Sequence, residues 1–265
     1  MPDTLRAASA AQSVQPAPAI DRWHSPRALG VLALALAAWG FLAWITIDMG
    51  HPFAQLTMPD STRWSAANAL AVWSMWGVMM AAMMLPSALP MITTFAAVSV
   101  RSGEPARGRG FVAAYLAVWF AFSAAATLAQ WALQLAGWIN PMIVSTSATL
   151  TAALLLVAGV YQFSPLKRTC LARCRTPMGF LLGEWRAGVA GAFRMGWRHG
   201  QFCIGCCWAL MALLFVGGVM NLAWVAALSI AVALEKLVPR GERVAAALGV
   251  ALVVIGSVKL LRVWA

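Results

Sequence analysis

Residues 67–95 read ANALAVWSMWGVMMAAMMLPSALPMITTF, a run without one charged side chain. About 20 apolar residues in an α-helix span the ~30 Å hydrocarbon core of a bilayer, so this run is more than long enough to cross one. Pro86 and Pro90 lie inside it. A proline removes a helix donor, so a kink is expected there, with the freed carbonyls finding partners inside a bundle. Outward from this stretch, six further apolar runs qualify or nearly qualify as spans: 28–48, 111–136, 146–164, 203–219, 222–237 and 244–263. The fold expected is an all-α membrane protein, a bundle of about seven transmembrane helices. The short connection Gly217-Gly218-Val219-Met220-Asn221 marks the fifth and sixth spans as a helical hairpin.

Composition agrees. With 62% hydrophobic and only 10% charged residues and a mean hydropathy of +0.78, most of the chain cannot present a water-soluble surface. Residues 1–27 are rich in Ala, Pro and Ser and have no apolar core, which points to a disordered cytoplasmic tail before one transmembrane domain over 28–265. The net charge of +11 does not indicate nucleic acid, because the cations lie between apolar runs rather than in a stripe with aromatics. They read as topology signals. With the N-terminus inside, only Arg63, Lys259 and Arg262 of the 19 Lys and Arg residues fall on the outer side, the asymmetry expected of a multi-pass protein of a cytoplasmic membrane.

Between the fourth and fifth spans, residues 165–202 form a long inner connection. Leu181, Leu182, Trp185, Val189, Phe193 and Trp197 gather on one arc and Glu184, Arg194 and Arg198 on the other. That pattern suggests an amphipathic segment lying in the inner interface. Glycines between 179 and 200 make a broken or hinged element the alternative.

Sulfur carries the chemistry. Met75, Met79 and Met83 stack four residues apart, Met80 and Met84 widen the stripe, and Trp73 and Trp76 bracket it. Thioethers are soft, neutral donors suited to Cu(I) in a low-dielectric interior, although a Met stripe is also ordinary core packing. His199, Cys203, Cys207 and Met211 recur every four residues along one helical face, with Cys206 beside them. A mixed His, Cys and Met set leans towards copper over a tetrahedral zinc cage; small buried cysteines filling a tight interface near Gly205 are the bland alternative. Cys170 and Cys174 follow the fourth span among Lys167, Arg168, Arg173 and Arg175, a setting that favours thiolate. They read equally as ordinary reduced cysteines. Five cysteines cannot all pair within one chain, so no disulfide framework is expected. Asp48, Met49, His51, Met58 and Asp60 form either an outer metal mouth or a polar turn. Glu235, beside Lys236, is a functional candidate as an acid in an apolar run, with an intrahelical or snorkelling pair as the alternative.

Four segments then bear a resemblance. Met-Trp-x-Val-Met-Met-Ala-Ala-Met-Met-Leu-Pro (75–86), Gly-Val-Tyr-Gln-Phe-Ser-Pro-Leu-Lys-Arg-x-Cys-Leu-x-x-Cys-Arg-x-Pro (159–177), His-Gly-Gln-Phe-Cys-Ile-Gly-Cys-Cys-Trp-Ala-Leu-Met (199–211) and Gly-Val-Met-Asn-Leu-x-Trp (218–224), followed by Glu235-Lys236, closely resemble the bacterial predicted metal-binding integral membrane protein family. That family was once a domain of unknown function and includes a membrane copper chaperone for a tyrosinase-type polyphenol oxidase. The resemblance covers about residues 70–240 and implies copper binding and delivery in a bacterial inner membrane.

The expectation is therefore a non-enzymatic protein of the bilayer that takes Cu(I) at Cys170, Cys174, Cys203, Cys206 and Cys207, passes it to the methionine stripe and delivers it to a partner cuproenzyme. Zinc and an iron–sulfur cluster are the alternative metals. No ATP-binding loop or phosphorylation aspartate is found in the sequence. The rival readings are a membrane thiol oxidoreductase serving a quinone, whose cysteines belong on the oxidising face, and an assembly subunit whose sulfurs only pack.

Overall fold

The computed structural model describes residues 26–60 and 64–264. The expected tail therefore lies outside the described residues up to residue 25, as does Arg63. Among the described residues the chain is helical, with no strand beyond the isolated bridge between Ile139 and Ser145. The elements are α1 (Pro26–Ile47), α2 (Pro52–Leu56), α3 (Ala66–Arg101), α4 (Ala106–Leu135), α5 (Ala148–Tyr161), α6 (Pro165–Arg175), α7 (Pro177–Glu184), α8 (Gly188–Ala212), α9 (Leu214–Gly217), α10 (Leu222–Leu237) and α11 (Gly241–Trp264).

Local chemistry sets the starts. Ser65 and Asn68 form a reciprocal capping box at α3, the Ser65 hydroxyl accepting from the Asn68 amide at 3.1 Å. Ser164 caps α6 through the Lys167 amide at 3.1 Å, with Pro165 at the position where a missing N–H costs nothing. Asn221 caps α10, and Gly218, with φ +82°, turns the chain between α9 and α10. The Trp224 indole then donates to the Leu213 carbonyl at 2.8 Å and closes the expected hairpin.

Among the described residues five helices are long and apolar enough to cross a membrane: 28–47, 66–101, 106–135, 188–217 and 241–263, the fourth including α9. A sixth follows if α5 and α6, bent by 65°, count as one broken span. The described residues thus supply five or six candidate spans where seven are expected. α5 has 14 residues and α10 has 16, about 21 and 24 Å at 1.5 Å per residue, both short of ~30 Å. Nor is the inner amphipathic segment one element. Residues 177–184 form α7, the chain extends through Trp185 and Ala187, and Gly188 at φ +71° starts α8, which runs without a break past Cys207. Hydropathy places the fifth span after Arg198, but backbone hydrogen bonding does not stop for two arginines. The hinged alternative is the arrangement formed, and Val189, Phe193 and Trp197 stay exposed along the early turns of α8.

α8 is the central rod, packed against α4 on one side and α6 on the other. A side chain at Gly196 would run into the backbone of Phe111, and one at Gly200 would stand 2.8 Å from Val118. These glycines therefore permit the close crossing of α4 and α8. α1 packs on α3, where the Trp39 indole donates to the Ala82 carbonyl at 3.1 Å. That carbonyl is the one Pro86 deprives of its helix donor, so the expected partner for a freed carbonyl comes from α1. α3 continues as a single helix through both prolines. Arg107 fastens the start of α4 to the α7–α8 break: it is buried, pairs with Glu104 at 3.0 Å, donates to the Arg186 carbonyl at 2.6 Å, and lies 4.3 Å from the Trp185 ring.

Candidate metal centre

α6 and α8 supply all five cysteines, and each is a free thiol. The seam between the helices is tight because Gly205 has no side chain; a Cβ there would stand 2.6 Å from the Cys170 sulfur. One turn along α6, the partly buried Cys174 interacts with the thiols of Cys203 and Cys206. Cys206 and Cys207 each donate to the Cys203 carbonyl, at 3.1 and 3.0 Å, so the three α8 thiols stay near one turn.

From α3, Met75, Met79, Met80, Met83 and Met84 all face inward, none more than 1% exposed. Met84 is the stripe residue whose sulfur reaches a cysteine: its Sδ lies 4.0 Å from the Cys207 Sγ. The Lys236 ammonium of α10 sits beside them, 2.9 Å from the Cys203 Sγ, 3.2 Å from the Ser87 Oγ and 3.9 Å from the Met84 Sδ. The Tyr115 hydroxyl of α4 is 3.1 Å from the Cys203 Sγ. The other four stripe methionines and Met211 belong to the same buried core. His199, one turn before Cys203, is enclosed by the rings of Phe111, Tyr115 and Phe180 at 5.4 to 5.8 Å, and its Nδ1 has no hydrogen-bond partner. Among the described residues no group of three or more His, Cys, Asp or Glu side chains is arranged to hold one ion.

Directly below the cysteines lies a buried ion pair, Lys167 Nζ to Glu235 Oε2 at 2.6 Å, both residues 1% exposed. Lys167 also donates to the Cys206 carbonyl at 2.9 Å, and the Gln162 amide donates to Glu235 at 3.0 Å. This corrects the reading of Glu235 as half of an intrahelical or snorkelling pair: its partner comes from α6, because consecutive residues on a helix point about 100° apart and Lys236 faces the sulfurs instead. It also changes the meaning of Lys167, which reads as a topology signal in the sequence yet is paired in the core. On the other loop, the His51 Nδ1 accepts from the Phe53 amide at 3.2 Å and caps α2, with its ring 4.7 Å from that of Trp44. The polar-turn reading fits that arrangement.

The model of the PpoB2 copper chaperone family matches residues 73–259, from the methionine stripe of α3 into α11. The chain belongs to that family. The match contains both cysteine helices, Met84, Lys236 and the Lys167–Glu235 pair, and it extends beyond the range in which the sequence resemblance was drawn, while α1 lies outside it. No curated protein and no solved structure matches the chain.

Lys236, Lys167, Tyr115 and Ser87 are the participants that sequence reasoning did not assign to the site. A signal existed for two of them. An ionisable residue inside an apolar run marks a functional position by default, which covers Lys236, and a tyrosine in such a run needs a partner for its hydroxyl.

Proposed function

We propose that the protein is a non-catalytic membrane copper chaperone that binds Cu(I) between α3 and α8 and hands it to a partner cuproenzyme. The observation that carries this is the 4.0 Å approach of the Met84 thioether to the Cys207 thiol, with Cys203 on the same face. Taking a metal–sulfur length of about 2.3 Å, as in zinc thiolates, two sulfurs 4.0 Å apart can share one ion at a sulfur–metal–sulfur angle of about 120°. A thiolate and a thioether together also give Cu(I) a neutral complex, suited to a buried site with few polar groups. A zinc cage or an iron–sulfur cluster uses four thiolate or imidazole ligands, a set less suited to this methionine-containing core.

Cys170 and Cys174, with Cys203, Cys206 and Cys207, are read as the acceptor end of the route. The thiolate-to-thioether exchange runs from there to Met84 and along Met83, Met80, Met79 and Met75, with His199 and Met211 bordering it. Each step replaces one soft ligand by another of similar strength, which suits transfer rather than storage. The charge distribution supports an N-terminus inside and the cysteine end at the cytoplasmic face of a bacterial inner membrane.

Copper analysis tests the reading. The full chain purified in detergent, loaded anaerobically with Cu(I) and desalted, retains about one or more copper per chain. Met84→Leu weakens retention and the triple replacement of Cys203, Cys206 and Cys207 by Ser abolishes it. Unchanged copper in the triple variant refutes it.

A further inference from the structure

Two buried lysines flank the cysteine turn of α8, and they are held in opposite ways. Lys167 has what a structural buried ammonium requires, a carboxylate at 2.6 Å and a carbonyl at 2.9 Å. Lys236 has neither. Its three donors point at the Cys203 sulfur, the Ser87 hydroxyl and the Met84 sulfur, at 2.9, 3.2 and 3.9 Å. Among the described residues no carboxylate forms an ion pair with it, and its neighbour Glu235 is turned towards α6. A buried monocation thus sits where soft donors converge, held by atoms of the proposed copper site itself. Ammonium and metal ion cannot share that volume.

From this we infer that Lys236 is a tethered competitor for the metal and a specificity-determining residue: its ammonium occupies the sulfur site when it is empty, withdraws towards Ser87 as the ion seats, and repels incoming cations in proportion to their charge. The inference rests on the copper-site reading above. Tethering has two consequences. Affinity is held down, so a seated ion is returned readily to an acceptor. Selectivity is raised as well, because the repulsion scales with the product of the charges and a divalent ion meets twice the opposition that a univalent ion does. A lysine that only packed α10 against α3 would leave the ratio of univalent to divalent affinities alone.

The test uses the full chain in detergent, with Ag(I) as a univalent, redox-inert probe and Zn(II) as the divalent one, each titrated against a chromophoric chelator. In Lys236→Met, Ag(I) binding tightens by about tenfold or more and Zn(II) binding tightens by a larger factor, whereas Lys236→Arg, which keeps the charge, retains the wild-type preference. Silver-loaded wild-type protein supplies a readout that no substitution can spoil: in its structure the Lys236 Nζ has left hydrogen-bonding distance of the Cys203 Sγ. Silver bound with that contact intact overturns the inference, as does a Met variant whose affinities and selectivity match the wild type, and both results leave the copper site standing. Failure of the wild-type chain to bind silver at all removes the inference and the copper-site reading together.

Discussion

Replacing Glu235 by Leu removes the acid from a fully enclosed ion pair and leaves the Lys167 ammonium with the Cys206 carbonyl alone. At the observed separation of 2.6 Å, two unit charges in a medium of effective dielectric about 20 attract by roughly 6 kcal/mol. Desolvation of both groups offsets much of that, and breaking a buried pair from one side costs about 3–5 kcal/mol because a charge is left uncompensated. Removing both charges with apolar residues of similar volume, Lys167→Met with Glu235→Leu, returns most of the loss for the same reason. The assay is thermal unfolding in detergent followed by the intrinsic fluorescence of the 14 tryptophans, run as a double-mutant cycle. Each single variant unfolds on the order of 10 °C below the wild type, and the double variant lies above both. Singles that match the wild type, or a double that loses the sum of the two, would show that the pair is not a coupled buried bridge.

Three further outcomes follow from the packing. Trp39→Phe removes the donor to the Ala82 carbonyl and costs about 1 kcal/mol more in the native background than beside Pro86→Ala, whose restored amide supplies that carbonyl; comparison of unfolding midpoints in the two backgrounds checks it. Gly205→Val drives a methyl-bearing carbon into the Cys170 sulfur at a cost of about 1–3 kcal/mol, and Cys170→Ala in the same chain relieves it; no relief by the second change in thermal unfolding would count against the tight seam. Arg107→Lys keeps the charge but loses the planar fork that reaches both Glu104 and the Arg186 carbonyl, so hydrogen exchange at residues 185–188 accelerates while α4 and the later turns of α8 keep their protection.

Uninterrupted apolar runs gave the long helices directly. α1, α3, α4 and α11 begin and end within a few residues of the apolar runs at 28–48, 67–95, 111–136 and 244–263, apart from the C-terminal extension of α3 to Arg101. Errors arose where hydropathy and hydrogen bonding part company. Arg194 and Arg198 lower the local hydropathy, yet their long side chains reach outward from a helix that does not break, so the start of α8 was legible only from the hinge glycine at 188. α10 is apolar enough to be read as a span but too short by the length of about one turn. At the site, spacing alone was enough to collect the cysteines and the methionines on inward faces. It could not say which methionine meets which cysteine, because the contact between Met84 and Cys207 depends on how α3 and α8 cross. Nor could it separate Glu235 from Lys236, since adjacency along the chain says nothing about which partner each faces across the bundle.

The order of the elements bears on how a new chain matures. Met84 and all five thiols lie upstream of the turn at Gly218, and Lys236 is translated after them. Synthesis runs from the N-terminus, so each nascent chain passes through an interval in which the cysteine-bearing helices have emerged from the ribosome while the lysine has not. During that interval the Cys203 thiol lacks the ammonium that stands 2.9 Å from it in the finished fold, a contact that forms only when α10 folds into place.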